Sequence, residues 1–210
     1  MNRRRKSIVA VRRDWAKTPW ARLLDSQEAQ ALITPRAERI IKLIGLEPGK
    51  RYVDFGCGTA AFAHLLARKA GMDEPPLTLD LANGPGPVDA IAWPADLPLA
   101  SESVDCLTSL YFARRFDDDN LHAYGRELAR VLAPGGAALL LEVAPVRAGW
   151  LDRMHHRLLS PGCAQVDLRG WGRMAALLTE AGFDAIDLVN VGPFLFPPIP
   201  RVGVLLRRAG

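Results

Sequence analysis

The sequence predicts an α/β protein built on a doubly wound, mostly parallel sheet, with helices preceding it. Three observations carry that prediction. Strand-like and helix-like patterns alternate five times after residue 50, which is the signature of stacked βαβ units. Two strand-like runs, "VDCLTSLYF" (104–112) and "AALLLEVA" (137–144), are apolar with little alternation, as in strands covered on both faces. The stretch "YVDFGCGTAAFAHLLA" (52–67) passes from a β-type run through two glycines into a helical pattern.

The elements follow in order. Residues 1–13 hold Arg3, Arg4, Arg5, Lys6, Arg12 and Arg13 and no acid, so they read as a basic, disordered arm ahead of a single domain at 14–210. Residues 14–46 read as N-terminal helices in two pieces, divided where Thr34 can cap and Pro35 can open the second. That second helix carries Ile40, Ile41 and Ile44 on one face and stops at Gly45. Strands follow at 52–55, 76–80 and 88–93, with a loop "ANGPGP" at 82–87 that its prolines and glycines enforce. The run 104–112 is the fourth strand. A helix begins near Asp119 and ends at Pro134-Gly135-Gly136, before the fifth strand at 137–144. Residues 145–169 form an insertion. A helix at 170–183 closes on Gly182, and two last strands, 185–191 and 201–208, complete a set of seven.

The formal charge of +4 is misleading, because without the six basic residues of the arm 21 basic side chains face 23 acidic ones. A slightly acidic body argues against a broad nucleic-acid surface. No apolar run reaches the roughly 20 residues of a membrane helix, and no apolar h-region follows the basic start, so a secretory signal is not expected. Cys57, Cys106 and Cys163 share no metal-like spacing. An odd count without a signal favours reduced thiols and a cytoplasmic location.

In doubly wound sheets, ligands bind beyond the carboxyl ends of the strands. Two acids stand there. Asp54 closes the first strand, and Gly56 and Gly58 then permit close approach to the backbone. A carboxylate at that point repels a pyrophosphate and suits a ligand carrying hydroxyls and positive charge. Asp80 ends the second strand, 26 residues on, where a ribose-binding carboxylate belongs. Such a group accepts from two adjacent hydroxyls at once.

These segments, "VDFGCGTAAFA", "LTLD", "LPLASESVDCLTS" and "RELARVLAPGGAALLLEVAP", together resemble the class I S-adenosylmethionine-dependent methyltransferases, in the branch of small single-domain members. The resemblance covers about residues 36–191 and implies their Rossmann-like, seven-stranded fold. A Rossmann dehydrogenase would carry a third glycine two residues further on and lacks "RVLAPGG".

The resemblance implies S-adenosylmethionine as cofactor and assigns its contacts. Asp54 would lie near the ammonium end, Gly56, Cys57 and Gly58 would offer backbone to the methionine and ribose, and Asp80 would take the ribose hydroxyls. Ser109, ending the fourth strand, would face the reacting methionine. Ala60 replaces the family's third glycine. The usual adenine-side acid falls at Trp93, so either Asp96 reaches the adenine amino group or Trp93 stacks on the ring.

For catalysis, Tyr111 offers an aromatic face to a sulfonium, and His155, within the insertion, offers a general base. Arg114 and Arg115 either grip an anionic acceptor or balance Asp117–Asp119 on a solvated face. No N-P-P-Y follows the fourth strand and no cysteine stands there, which disfavours methylation of nucleic-acid bases. The apolar stretch "PFLFPPIP" suits a small, amphipathic methyl acceptor. Two alternatives remain: an RNA or protein methyltransferase guided by the basic arm, and a silent cofactor-fold adaptor.

Overall fold

The structure, a computed structural model, describes residues 27–81, 88–145, 149–150, 153, 169–183, 185–191 and 201–210, with side chains from Arg36 onward. The basic arm, the 82–87 loop, Cys163 and most of the 145–169 insertion lie outside the described residues.

Helix α1 (Gln27–Ile44) is continuous through Thr34-Pro35, where the sequence reading divides it. Pro35 removes one backbone donor. The turns beyond it are held by burial instead: Ala37, Ile40 and Ile44 are 3% exposed or less and pack toward the sheet. Then come β1 (Tyr52–Phe55), α2 (Ala61–Lys69), β2 (Leu77–Asp80), the two-residue β3 (Ala90–Ile91) and β4 (Val104–Leu110). A single 3-10 turn (Ala113–Arg115) leads into α3 (Asp118–Val131), whose N-cap Asp117 accepts the Asn120 N–H at 2.9 Å. The chain ends with β5 (Leu132–Val143), α4 (Trp171–Glu180), β6 (Ala185–Val189) and β7 (Arg201–Arg207).

The seven strands form one sheet in the order β3-β2-β1-β4-β5-β7-β6. The first five pair in parallel, and β7 runs antiparallel to both β5 and β6. The predicted mostly parallel, seven-stranded sheet is therefore present. One local reading changes. Pro134-Gly135-Gly136 does not separate α3 from the fifth strand but lies inside a 12-residue β5. The sheet takes it up as an irregularity between Val104 and Cys106. Gly136 is required there, since a Cβ would sit 2.8 Å from the Ala133 carbonyl oxygen and 3.1 Å from that of Val104.

Alternation along the strands splits the interior into two cores. Val53, Phe55, Leu79, Leu107 and Leu140 face α3 and α4, whereas Tyr52, Cys106, Leu139 and Leu141 face α1 and α2. This division decides which side chains can meet at the sheet's carboxyl rim.

Candidate cofactor and transfer site

Register places the two acids together. Phe55 pairs with Leu79 and both belong to the α3/α4 core, so Asp54 and Asp80 both point to the α1/α2 side. The Asp80 charge contributes to raising the Asp54 pKa, as proximity requires.

Asp54 is 7% exposed. Opposite it in register, Thr108 donates its hydroxyl to Asp54 Oδ1 at 2.6 Å. With its one hydrogen spent, Thr108 can only accept from Tyr52, whose hydroxyl lies 2.7 Å away. A buried Tyr52–Thr108–Asp54 chain thus supports the carboxylate from below. Burial, chiefly, and then Asp80 push Asp54 up to about 7, against the opposing pull of Thr108.

Asp80, 2% exposed, accepts the Gly58 N–H at 3.1 Å and its neighbour Leu81's N–H at 2.7 Å. The Cys57 thiol sits 3.9 Å from Oδ2, the Asp80 oxygen that takes the Gly58 N–H. Gly56 and Cys57 donate their N–H groups to the Leu79 carbonyl at 2.9 and 3.4 Å. The turn is thereby anchored to β2.

Its glycines have different roles. Gly56 has φ +84°, and a Cβ there would penetrate the Phe112 ring, 2.6 Å from Cδ2. Phe112 is itself locked edge-on against Phe55, with centroids 4.8 Å apart. Gly58 has φ +61° and open space where its Cβ would project, leaving room for a ligand over the turn. Ala60 adopts φ +62° at the N-cap of α2, so the position keeps a glycine conformation without glycine.

The remaining expected residues separate. The Ala92 N–H bonds the Asp80 carbonyl at 2.8 Å, which brings Trp93 to the same rim. Trp93 is half-buried against the α3/α4 core, and its carbonyl receives the Asp96 N–H at 3.0 Å; Asp96 is exposed. Ser109 is fully buried on that same α3/α4 side, beside the Tyr124 phenol. Its side chain is packed under the rim, where the resemblance has it facing the methionine, because strand alternation sends it opposite to Thr108.

Tyr111 stands past β4 with φ +55°. Its hydroxyl accepts the Arg201 Nε–H at 2.8 Å, and burial pushes its pKa to about 12. Arg114 fits neither expectation: it is 5% exposed and paired with Glu142 at 3.4 Å. Arg115 lies 5.7 Å from the Phe112 ring centre. His155 lies outside the described residues. Sequence reasoning missed Tyr52, Thr108, Glu142 and Arg201. The i, i+2 spacing put Tyr52 with Asp54, but only the register could add Thr108.

The arrangement offers two adjacent carboxylates, bare turn backbone and open space above Gly58. This donor set fits S-adenosylmethionine, which combines ribose hydroxyls with an ammonium group.

Comparison with known proteins agrees. Residues 53–140 match a family model described as "Methyltransferase domain". Methyltransferase GfsG of Streptomyces halstedii is 26% identical over 181 residues, 79% of this chain and 64% of that protein. The demethylmenaquinone methyltransferase of Tropheryma whipplei is 30% identical over 114 residues, 50% of this chain and 47% of that one. The chain thus spans about half to two thirds of the length of these curated relatives. Among solved structures, the Haemonchus contortus phosphoethanolamine N-methyltransferase 2 in complex with S-adenosyl-L-methionine superposes with a TM-score of 0.62 at 13% identity, covering 83% of this chain and 52% of that one. Sheet order, motif positions and the family match converge: residues 53–140 match a methyltransferase domain, and together these findings support a class I S-adenosylmethionine-dependent methyltransferase.

Proposed function

We propose that this protein transfers a methyl group from S-adenosylmethionine to a small, apolar or amphipathic acceptor by in-line displacement. The observation that carries the cofactor half is the meeting of Asp54 and Asp80 on one face of adjacent strand tips, with the Gly56–Gly58 turn between them.

In this reading Asp54 takes the ammonium group, Asp80 the ribose hydroxyls, and the backbone of Gly56, Cys57 and Gly58 borders the methionine and ribose. Trp93 and Asp96 border the adenine. The bound cofactor supplies an electrophilic methyl on a cationic sulfur. The chain aligns the acceptor's nucleophile behind that methyl, excludes water and receives any released proton. Tyr111 is neutral at physiological pH, given its raised pKa, so it offers an aromatic face and a hydrogen bond, not a base. His155 is proposed as the proton acceptor. The thiols of Cys57 and Cys106 fit a reducing, cytoplasmic setting.

The T. whipplei relative is named for a demethylated quinone substrate, which favours an apolar, prenylated aromatic acceptor over a macromolecule. The test is isothermal calorimetry with S-adenosylhomocysteine, followed by transfer of labelled methyl from the cofactor to a panel that includes demethylmenaquinol. Binding without transfer to any small acceptor, but with transfer to RNA or protein, overturns the acceptor assignment. A folded protein that binds no cofactor overturns the whole reading.

A further inference from the structure

We propose that Glu142 is a positioning residue for the acceptor side of the site, acting through Arg114 on Tyr111. The proposal rests on reading the chain as a methyltransferase whose acceptor meets the rim beyond β4.

Tyr111 is held at both ends of its backbone by β5. Its N–H donates to the Leu141 carbonyl at 2.7 Å. Its φ of +55° then turns the chain sharply. A bulky side chain occupies that region only where the surroundings enforce it. Arg114 provides the enforcing contact, donating a hydrogen bond from Nη1 to the Tyr111 carbonyl.

Arg114 is buried, its side chain 5% exposed, and a guanidinium cannot stay there without a counter-charge. Glu142, 4% exposed along its side chain, supplies it, its Oε1 accepting from Arg114 Nη1 at 3.4 Å. Leu141 and Glu142 are consecutive. One holds the Tyr111 N–H directly, and the other holds its carbonyl through Arg114.

The consequence is a change of side. Phe112 and Ala113 belong to the α3/α4 core, whereas the Tyr111 ring packs with the α1/α2 core, the side on which Asp54 and Asp80 lie. There its hydroxyl meets Arg201, at the start of β7. The Glu142–Arg114 pair, by fixing the backbone turn, therefore sets where the ring and its hydroxyl point.

Stability alone does not require the pair, because apolar residues of similar size commonly replace a buried ion pair without loss. That supplies the discriminating test. The chain has three tyrosines, Tyr52, Tyr111 and Tyr124. Full-length protein labelled with 3-fluorotyrosine then gives three fluorine resonances, with Tyr111 assigned by Tyr111→Phe.

Two variants are compared with wild type: Glu142→Gln, which leaves Arg114 unneutralised, and the double Arg114→Met/Glu142→Met, which restores an uncharged core and stays available if the single variant does not fold. The expected result is a displaced or broadened Tyr111 resonance with Tyr52 and Tyr124 in place. Affinity for S-adenosylhomocysteine should stay within about twofold, while kcat for demethylmenaquinol drops at least about tenfold. A double variant with a wild-type Tyr111 resonance overturns the proposal, as does wild-type turnover in the presence of a displaced resonance. If wild type does not methylate demethylmenaquinol, that acceptor is wrong, and the Tyr111 resonance alone decides the positioning role.

Discussion

Replacing Asp54 with asparagine should move stability and cofactor binding in opposite directions. The folded protein holds this carboxyl at about 7, against 3.8 for an ordinary aspartate, mainly by burial. A raised carboxyl pKa means the native state resists ionisation that the unfolded chain accepts freely. Stability is fully present below pH 4, is lost as pH rises from about 4 to 7, and stays reduced above. A shift of about three units sets a ceiling of about 4 kcal/mol at pH 8. The amide of Asp54→Asn keeps the shape and still accepts from Thr108, but loses the charge-assisted part of that bond, so a net gain of about 1–2 kcal/mol is expected. For a chain of this size that raises Tm by roughly 2–8 °C at pH 8, and at pH 4 the gain should vanish.

Binding should suffer. Losing a hydrogen bond to the ammonium group costs roughly 1.5–3 kcal/mol, or about a 10- to 150-fold weaker Kd for S-adenosylhomocysteine. In the wild type, binding requires the ionised carboxylate, so affinity should fall toward about tenfold per unit below pH 7. The variant should lack that dependence. Differential scanning calorimetry and isothermal titration at pH 6, 7 and 8 read both effects. Refutation would be a variant less stable at pH 8 with unchanged affinity, or wild-type binding that is flat from pH 6 to 8.

Further outcomes are expected at the same site. Thr108→Val removes the bond that lowers the Asp54 pKa, so the pH midpoint for cofactor binding should move upward, seen in the same titrations; an unmoved midpoint would remove Thr108 from the site. Asp80→Ala should weaken S-adenosylhomocysteine by roughly 1.5–3 kcal/mol; an unchanged Kd would put the ribose elsewhere. Gly56→Ala should destabilise by roughly 2–4 kcal/mol, combining left-handed strain with overlap onto the Phe112 ring; urea denaturation reads this, and a shift under about 1 kcal/mol would show that the ring yields.

Much of this protein was legible in the chain. Period-two and continuous apolar runs located all seven strands, since those patterns follow from side-chain geometry within a few residues. Asp54, Gly56, Gly58 and Asp80 could be singled out because a strand end, a tight turn and a helix start are local features. Misreadings occurred where a local signal met a distant partner. Thr34-Pro35 reads as a helix boundary, yet burial of Ala37, Ile40 and Ile44 favours one helix. Pro134-Gly135-Gly136 reads as a turn, yet its register against Val104 and Cys106 draws it into β5.

Tertiary structure alone decided who meets whom at the rim. Asp54 meets Thr108 across 54 residues of sequence, and Tyr111 meets Arg201 across 90. Arg114 reads as a surface cation but is buried against Glu142. Nothing in the composition of these segments encodes such pairs. They arise when strands dock in one register, and a shift of a single residue would send every one of these side chains to the other face of the sheet.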